Sequence, residues 1–160
     1  MQNEAYSFTM LKQAHIYLAN EAKPAIVAAM NHNLAGICYE QDEAVVIESW
    51  RKSDALVPAV RSALESFSFH DKNLRDTKLT DWAAYKASKA RSVRDFQSTY
   101  LRISVAAANE AELCYIAQAS PLDEDEISLR LTINRHGDEE MKRKLLRLFD
   151  ACSRWNVVKG

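Results

Sequence analysis

Glycine is scarce: Gly36, Gly137 and Gly160 are the only three in 160 residues. Isolated glycines cannot build the phosphate cradle of a P-loop or of a dinucleotide-binding turn. No Gly-x-Ser-x-Gly elbow is present to expose a hydrolase nucleophile. Cysteine is equally sparse, at Cys38, Cys114 and Cys152. An odd number in distant segments does not make a disulfide framework, and each cysteine stands among apolar neighbours. They read as small core residues in a reducing compartment, and the cytoplasm is the expected location. The four histidines (His15, His32, His70 and His136) lack any His-x-His, HExxH or Cys-His spacing. No metal and no cofactor is predicted. The longest apolar run, Ala25 to Met30, is too short to cross a bilayer, and no secretory signal pattern is visible. With a formal net charge of −1, the chain as a whole is not built to coat nucleic acid or an anionic membrane.

Apolar residues make up 48% and charged residues 27%, ordinary globular usage for one domain over residues 1–160. The patterning predicts an α+β fold, a central, mostly antiparallel sheet with helices packed on it. Tyr6, Phe8 and Met10 could line a strand. Ala25 to Met30 read as a helix with Pro24 in its first turn, and Asn31, His32, Asn33 and Gly36 as a turn. Ile37–Tyr39 and Ala44–Trp50 read as two strands joined by the polar stretch Glu40–Glu43. Ser53 is placed to cap a helix whose stripe is Leu56, Val60, Ala63, Leu64 and Phe67.

Residues 68–79 are polar and predicted to loop. Thr80 can cap a short helix containing Trp82 and Tyr85, and Ser92 another carrying Val93 and Phe96. Tyr100–Val105 and Glu112–Ala117 read as strands. Ile127, Leu129, Leu131 and Ile133 alternate strictly with polar residues, the clearest strand in the chain. Asp138 then caps a final helix, with Met141, Leu145, Leu148, Phe149 and Cys152 as its apolar stripe. The stripes beginning at Leu56 and Met141 share the same spacing, and Ile37-Cys38-Tyr39 resembles Leu113-Cys114-Tyr115. Two related strand-strand-helix halves would explain both. Coincidence is the competing reading, because any amphipathic helix reuses those offsets.

Charge is segregated. Asp123, Glu124, Asp125 and Glu126 are consecutive, Asp138, Glu139 and Glu140 follow, and Glu40, Asp42, Glu43 and Glu48 cluster in the first half. Such runs usually face water, but a concentrated negative field can also steer a basic partner. Residues 71–102 are rich in Lys and Arg, interleaved with Trp82, Tyr85 and Phe96. That mixture can bind nucleic acid. The roughly helical spacing of the aromatics favours inward packing instead, with the cations in solvent.

The run Asp81-Trp82, Tyr85, Ser88-Lys89-Ala90-Arg91-Ser92, Phe96 and the strand through Ile103 and Val105 has a further meaning. It resembles a segment of the immunity proteins of bacterial contact-dependent growth inhibition systems. The order of elements is similar over about residues 34–153. The resemblance implies a non-enzymatic protein that binds the toxic C-terminal domain of a delivered effector, often a nuclease. Because toxin nucleases are commonly basic, Asp123, Glu124, Asp125, Glu126, Glu40, Asp42 and Glu43 are the expected partner-binding residues. Asp138 is set aside as a helix cap. No catalytic residue, nucleic acid or membrane is called for, and the oligomeric state is left open. Two alternatives stand beside this: a small enzyme on nucleotides or nucleic acid using Glu48 near Arg91 or Arg94, and a homodimeric adaptor or chaperone.

Overall fold

The computed structural model describes residues 11–20, 22–107, 109, 112–122, 125–134 and 137–156. The predicted strand at Tyr6, Phe8 and Met10 lies outside them. Three strands open the chain: β1 (Gln13–Leu18), β2 (Ala25–His32) and β3 (Cys38–Ile47). Helix α1 (Leu56–Glu65) and a two-residue strand β4 (Ser68–Phe69) follow. A 3-10 turn at Leu79–Asp81 leads to α2 (Ala83–Ser88) and α3 (Val93–Thr99). Strands β5 (Leu101–Ala107), β6 (Glu112–Leu122) and β7 (Asp125–Asn134) then precede α4 (Asp138–Asn156). The sheet order is β3-β2-β1-β5-β6-β7, with every neighbour on that path antiparallel. β4 adds to β2 in parallel. The fold is therefore α+β, as the patterning predicts.

Ala25–Met30 is strand, not helix. Ala25 and Val27 are buried beneath α1 and α4, while Ile26 and Ala28 are buried under α2 and α3. A central strand covered on both faces has no polar side, so its apolar run cannot be told from a helix by period. The β-branched pair Ile26 and Val27 suits the pleated backbone. Ile37–Tyr39 and Ala44–Trp50 are likewise not two strands. Cys38–Ile47 is one continuous strand through the polar stretch, and Trp50 falls in the turn after it.

α1 and α4 cover one face of the sheet. Both stripes are buried as predicted, except that Phe67 lies past the end of α1 and stacks on His32. Ser53 does not cap α1: Ala55 is the N-cap, and the Ser53 hydroxyl accepts from the amide of Ala55 itself, two residues on. Ser92 does cap α3, accepting from the Asp95 amide at 3.1 Å. Trp82, not Thr80, precedes α2 as its N-cap residue. At α4 the Gly137 carbonyl receives the first helical bond, from the Met141 amide. Asp138 instead pairs with Arg61 of α1 at 2.8 Å.

The order of strands is symmetric about the β1–β5 pair. β1-β2-β3-α1 and β5-β6-β7-α4 are each a three-strand meander closed by a helix, and both helices pack on the same face. Each half therefore has one strand more than the sequence spacing implied. The cysteine-centred triplets are not equivalent: Cys38 opens the third strand of its half, whereas Cys114 lies in the second. The segment between the halves folds over the opposite face of the first meander. There Phe96 packs against Tyr17, Tyr85 and Tyr100 with ring centroids 5.3–5.7 Å apart. No helix among the described residues is long and apolar enough to cross a membrane.

Candidate binding edge

Among the described strands, β3 lies at one end of the sheet and hydrogen-bonds β2 alone. Its pairing is regular from Ala44–Ile47 against Ala25–Ala28, then breaks. Two steps along β2, from Ala28 to Met30, correspond to four along β3, from Ala44 to Glu40. The extra residues bulge out at Gln41–Glu43, bending the strand and leaving Asp42 and Glu43 exposed. The bulge is held from behind. The Gln41 side-chain amide donates to the carbonyls of Met30 at 3.2 Å and Ser66 at 2.7 Å. The Tyr39 hydroxyl donates to the His70 carbonyl at 2.5 Å. A shallow polar groove beside it is lined by Asp42, Glu43, Ser68, His70 and Lys72.

Glu40 does not join Asp42 and Glu43. Its side chain has no solvent exposure and turns under α2. One carboxylate oxygen accepts from the Ala84 amide at 3.0 Å, at the amino end of α2. The other accepts a short bond from the Tyr17 hydroxyl, with His15 Nδ1 3.5 Å away. A buried carboxylate needs such donors to offset lost hydration. Glu40 is thus an internal tie between β3, β1 and α2, and is removed from the expected contact residues. Strand pleating causes this: Glu40 shares a face with its neighbour Met30, which is also buried. The only sequence hint was that His15 and Tyr17, two apart on one strand, present polar groups to one face.

The hairpin acids are elsewhere. Asp123 and Glu124 lie outside the described residues, and Asp125 and Glu126 begin β7. β7 ends the sheet opposite β3, five strand spacings or about 24 Å away. The two acidic groups therefore do not form one patch on one strand. Glu48 is exposed just past β3. Burial, with the Glu48 charge adding to it, pushes the Tyr100 phenol up. On the α2–α3 layer Lys86, Lys89, Arg91 and Arg94 face solvent, while Phe96 is buried and Trp82 and Tyr85 are half-buried.

What the sequence did not flag is the apolar part of the edge. Ile37, Val45 and Val46 are exposed on or beside β3, and Leu34 in the preceding turn is more so. No basic residue occurs from Cys38 to Glu48. The edge is therefore apolar at its centre and acidic at its flanks.

The buried phenols give a pH signature of the fold. Burial is the main cause holding Tyr17 and Tyr115 protonated well above the ordinary tyrosine range, and the Glu40 charge adds to it at Tyr17. In the unfolded chain both ionise near pH ~10. Above that pH the unfolded state binds fewer protons than the folded one, so stability falls as pH rises. The contribution is intact below pH ~10 and is lost above it at about 1.4 kcal/mol per pH unit for each tyrosine. Chemical denaturation across pH ~9–11 is expected to show a slope that steepens towards two protons from this pair, and Tyr17→Phe is expected to remove one of the two.

No family model matches the chain, and no curated protein does. Among solved structures it is similar to a protein of unknown function, NMB0488, from Neisseria meningitidis. That likeness has a TM-score of 0.61 at 11% identity and covers 96% of this chain and 98% of the other. At that identity the two share a fold, and nothing about activity follows.

Proposed function

We propose that this chain is a cytoplasmic immunity protein, one that binds the toxic C-terminal domain of a contact-dependent growth inhibition effector and blocks it stoichiometrically. The observation that carries the reading is the β3 edge: exposed Val45 and Val46 between Asp42, Glu43 and Glu48, with no basic residue nearby in the strand. Protein interfaces combine an apolar centre with a charged rim. An acidic rim speeds encounter with a basic partner and rejects acidic ones. A nuclease toxin, which must approach phosphates, is such a partner. Binding asks for a rigid surface and no reaction chemistry. Glu40, Gln41 and Tyr39 supply the rigidity by fixing β3 from its inner side.

The test is co-expression with a candidate toxin domain, the C-terminal end of a large effector whose gene directly precedes this one. Cells carrying both are expected to survive, and the two proteins to copurify at one-to-one stoichiometry. Equal killing with and without this chain would exclude the role for that pair.

A further inference from the structure

We infer that β3 receives an extended segment of its partner as an added strand, and that this segment is apolar at its centre and basic at its ends. The inference rests on the binding role proposed above. Among the described residues, Ala44–Ile47 pairs β2 in unbroken register on one side and no strand on the other, which leaves its outward backbone groups as a template for a further strand. Edges are commonly blunted by charges, proline or bulges, and in β3 the bulge and the acids lie at the ends of the regular stretch. Here the centre is Val45 and Val46, on opposite faces, 52% and 43% exposed. A strand laid beside them would cover both. The stretch is bounded by the bulge at Gln41–Glu43 and by Ser49, whose φ of 48° turns the chain away.

The same charges argue against a second copy as the occupant. Two β3 strands paired antiparallel about a two-fold axis normal to the sheet, centred on Val45, bring the acidic bulge end of each copy, Asp42 and Glu43, against Glu48 of the other, twice. Like charges directly opposed across a strand pair are destabilising. With Glu43 included, the seam would gather six carboxylates and no cation. A partner strand with lysine or arginine at those positions turns each repulsion into an attraction.

The probe is the heptapeptide Lys-Thr-Val-Val-Thr-Lys-Lys, which in antiparallel pairing runs from opposite Glu48 to opposite Asp42. Its control is Glu-Thr-Val-Val-Thr-Glu-Glu, and each is titrated into the 15N-labelled full chain. Amide shifts are expected at Asp42–Glu48 with the basic peptide, and about tenfold weaker binding of the acidic one. The exposed double variant D42K/E48K, checked for an unchanged melting temperature, is expected to reverse that preference. Equal binding of the two peptides, or shifts confined to other strands, overturns the inference. So does a wild-type chain that sediments as a dimer with its β3 amides already protected. Cell survival separates this from the wider role. If D42K/E48K protects as well as wild type, strand docking fails and toxin binding stands. If wild type does not protect, the toxin-binding role fails.

Discussion

Replacing Glu40 with alanine is expected to destabilise the protein by about 3 kcal/mol, the cost typical of stranding buried partners of a charged group. The Ala84 amide loses its acceptor at the start of α2. The Tyr17 hydroxyl fares better, because His15 Nδ1 lies 3.4 Å from it. For a domain of this size the loss corresponds to a fall of about 6–12 °C in melting temperature. Glu40→Gln keeps one oxygen for Ala84 and is expected to cost about 1 kcal/mol. Urea denaturation of the two variants measures the difference. Were Glu40 a surface contact, both substitutions would be nearly neutral for stability.

Reversing the exposed acids is expected to do the opposite: little to stability, much to association. The double variant D42K/E43K should slow binding of the toxin domain by about tenfold or more at low salt. At about 1 M salt, where screening acts within roughly 3 Å, the variant and wild type should converge. Stopped-flow association rates over a salt series provide the check. The same reversal of Asp123, Glu124, Asp125 and Glu126 is a useful comparison, because Asp125 and Glu126 begin β7 at the far edge of the sheet. A larger effect there would move the interface to the β6–β7 hairpin.

The second half of the fold was more legible than the first, for a physical reason. β7 is a strand across the residues whose sequence alternates apolar and polar, Ile127–Ile133, and α4 has a single apolar stripe ending at Cys152. β2 is buried on both faces and therefore carries no period at all. β3 fails differently. As an edge strand with a bulge it exposes polar residues in succession, which in a one-dimensional reading is the signature of a loop. Ser53 was legible as a helix-start signal, but it stands two residues before the N-cap. The near-symmetry was half legible: stripe spacing reports a helix face, whereas the third strand of each half shows only in the pairing.

At the site, Asp42 and Glu43 were legible because exposed acids in a short run look alike in any conformation. Glu40 was not, since its partners Tyr17 and Ala84 are 23 and 44 residues distant. The exposure of Val45 and Val46 was not legible for the converse reason. A β-branched pair in a strand reads as core, and only the strand's place at the end of the sheet leaves it uncovered.

Amide hydrogen exchange of this chain, alone and with the candidate toxin domain from the co-expression test, tests the central claim most directly. The expected result is new protection at residues 42–48, with the β2 amides beneath unchanged and already slow. Absence of a complex, or a complex in which β3 exchanges as fast as in the free chain, would contradict it.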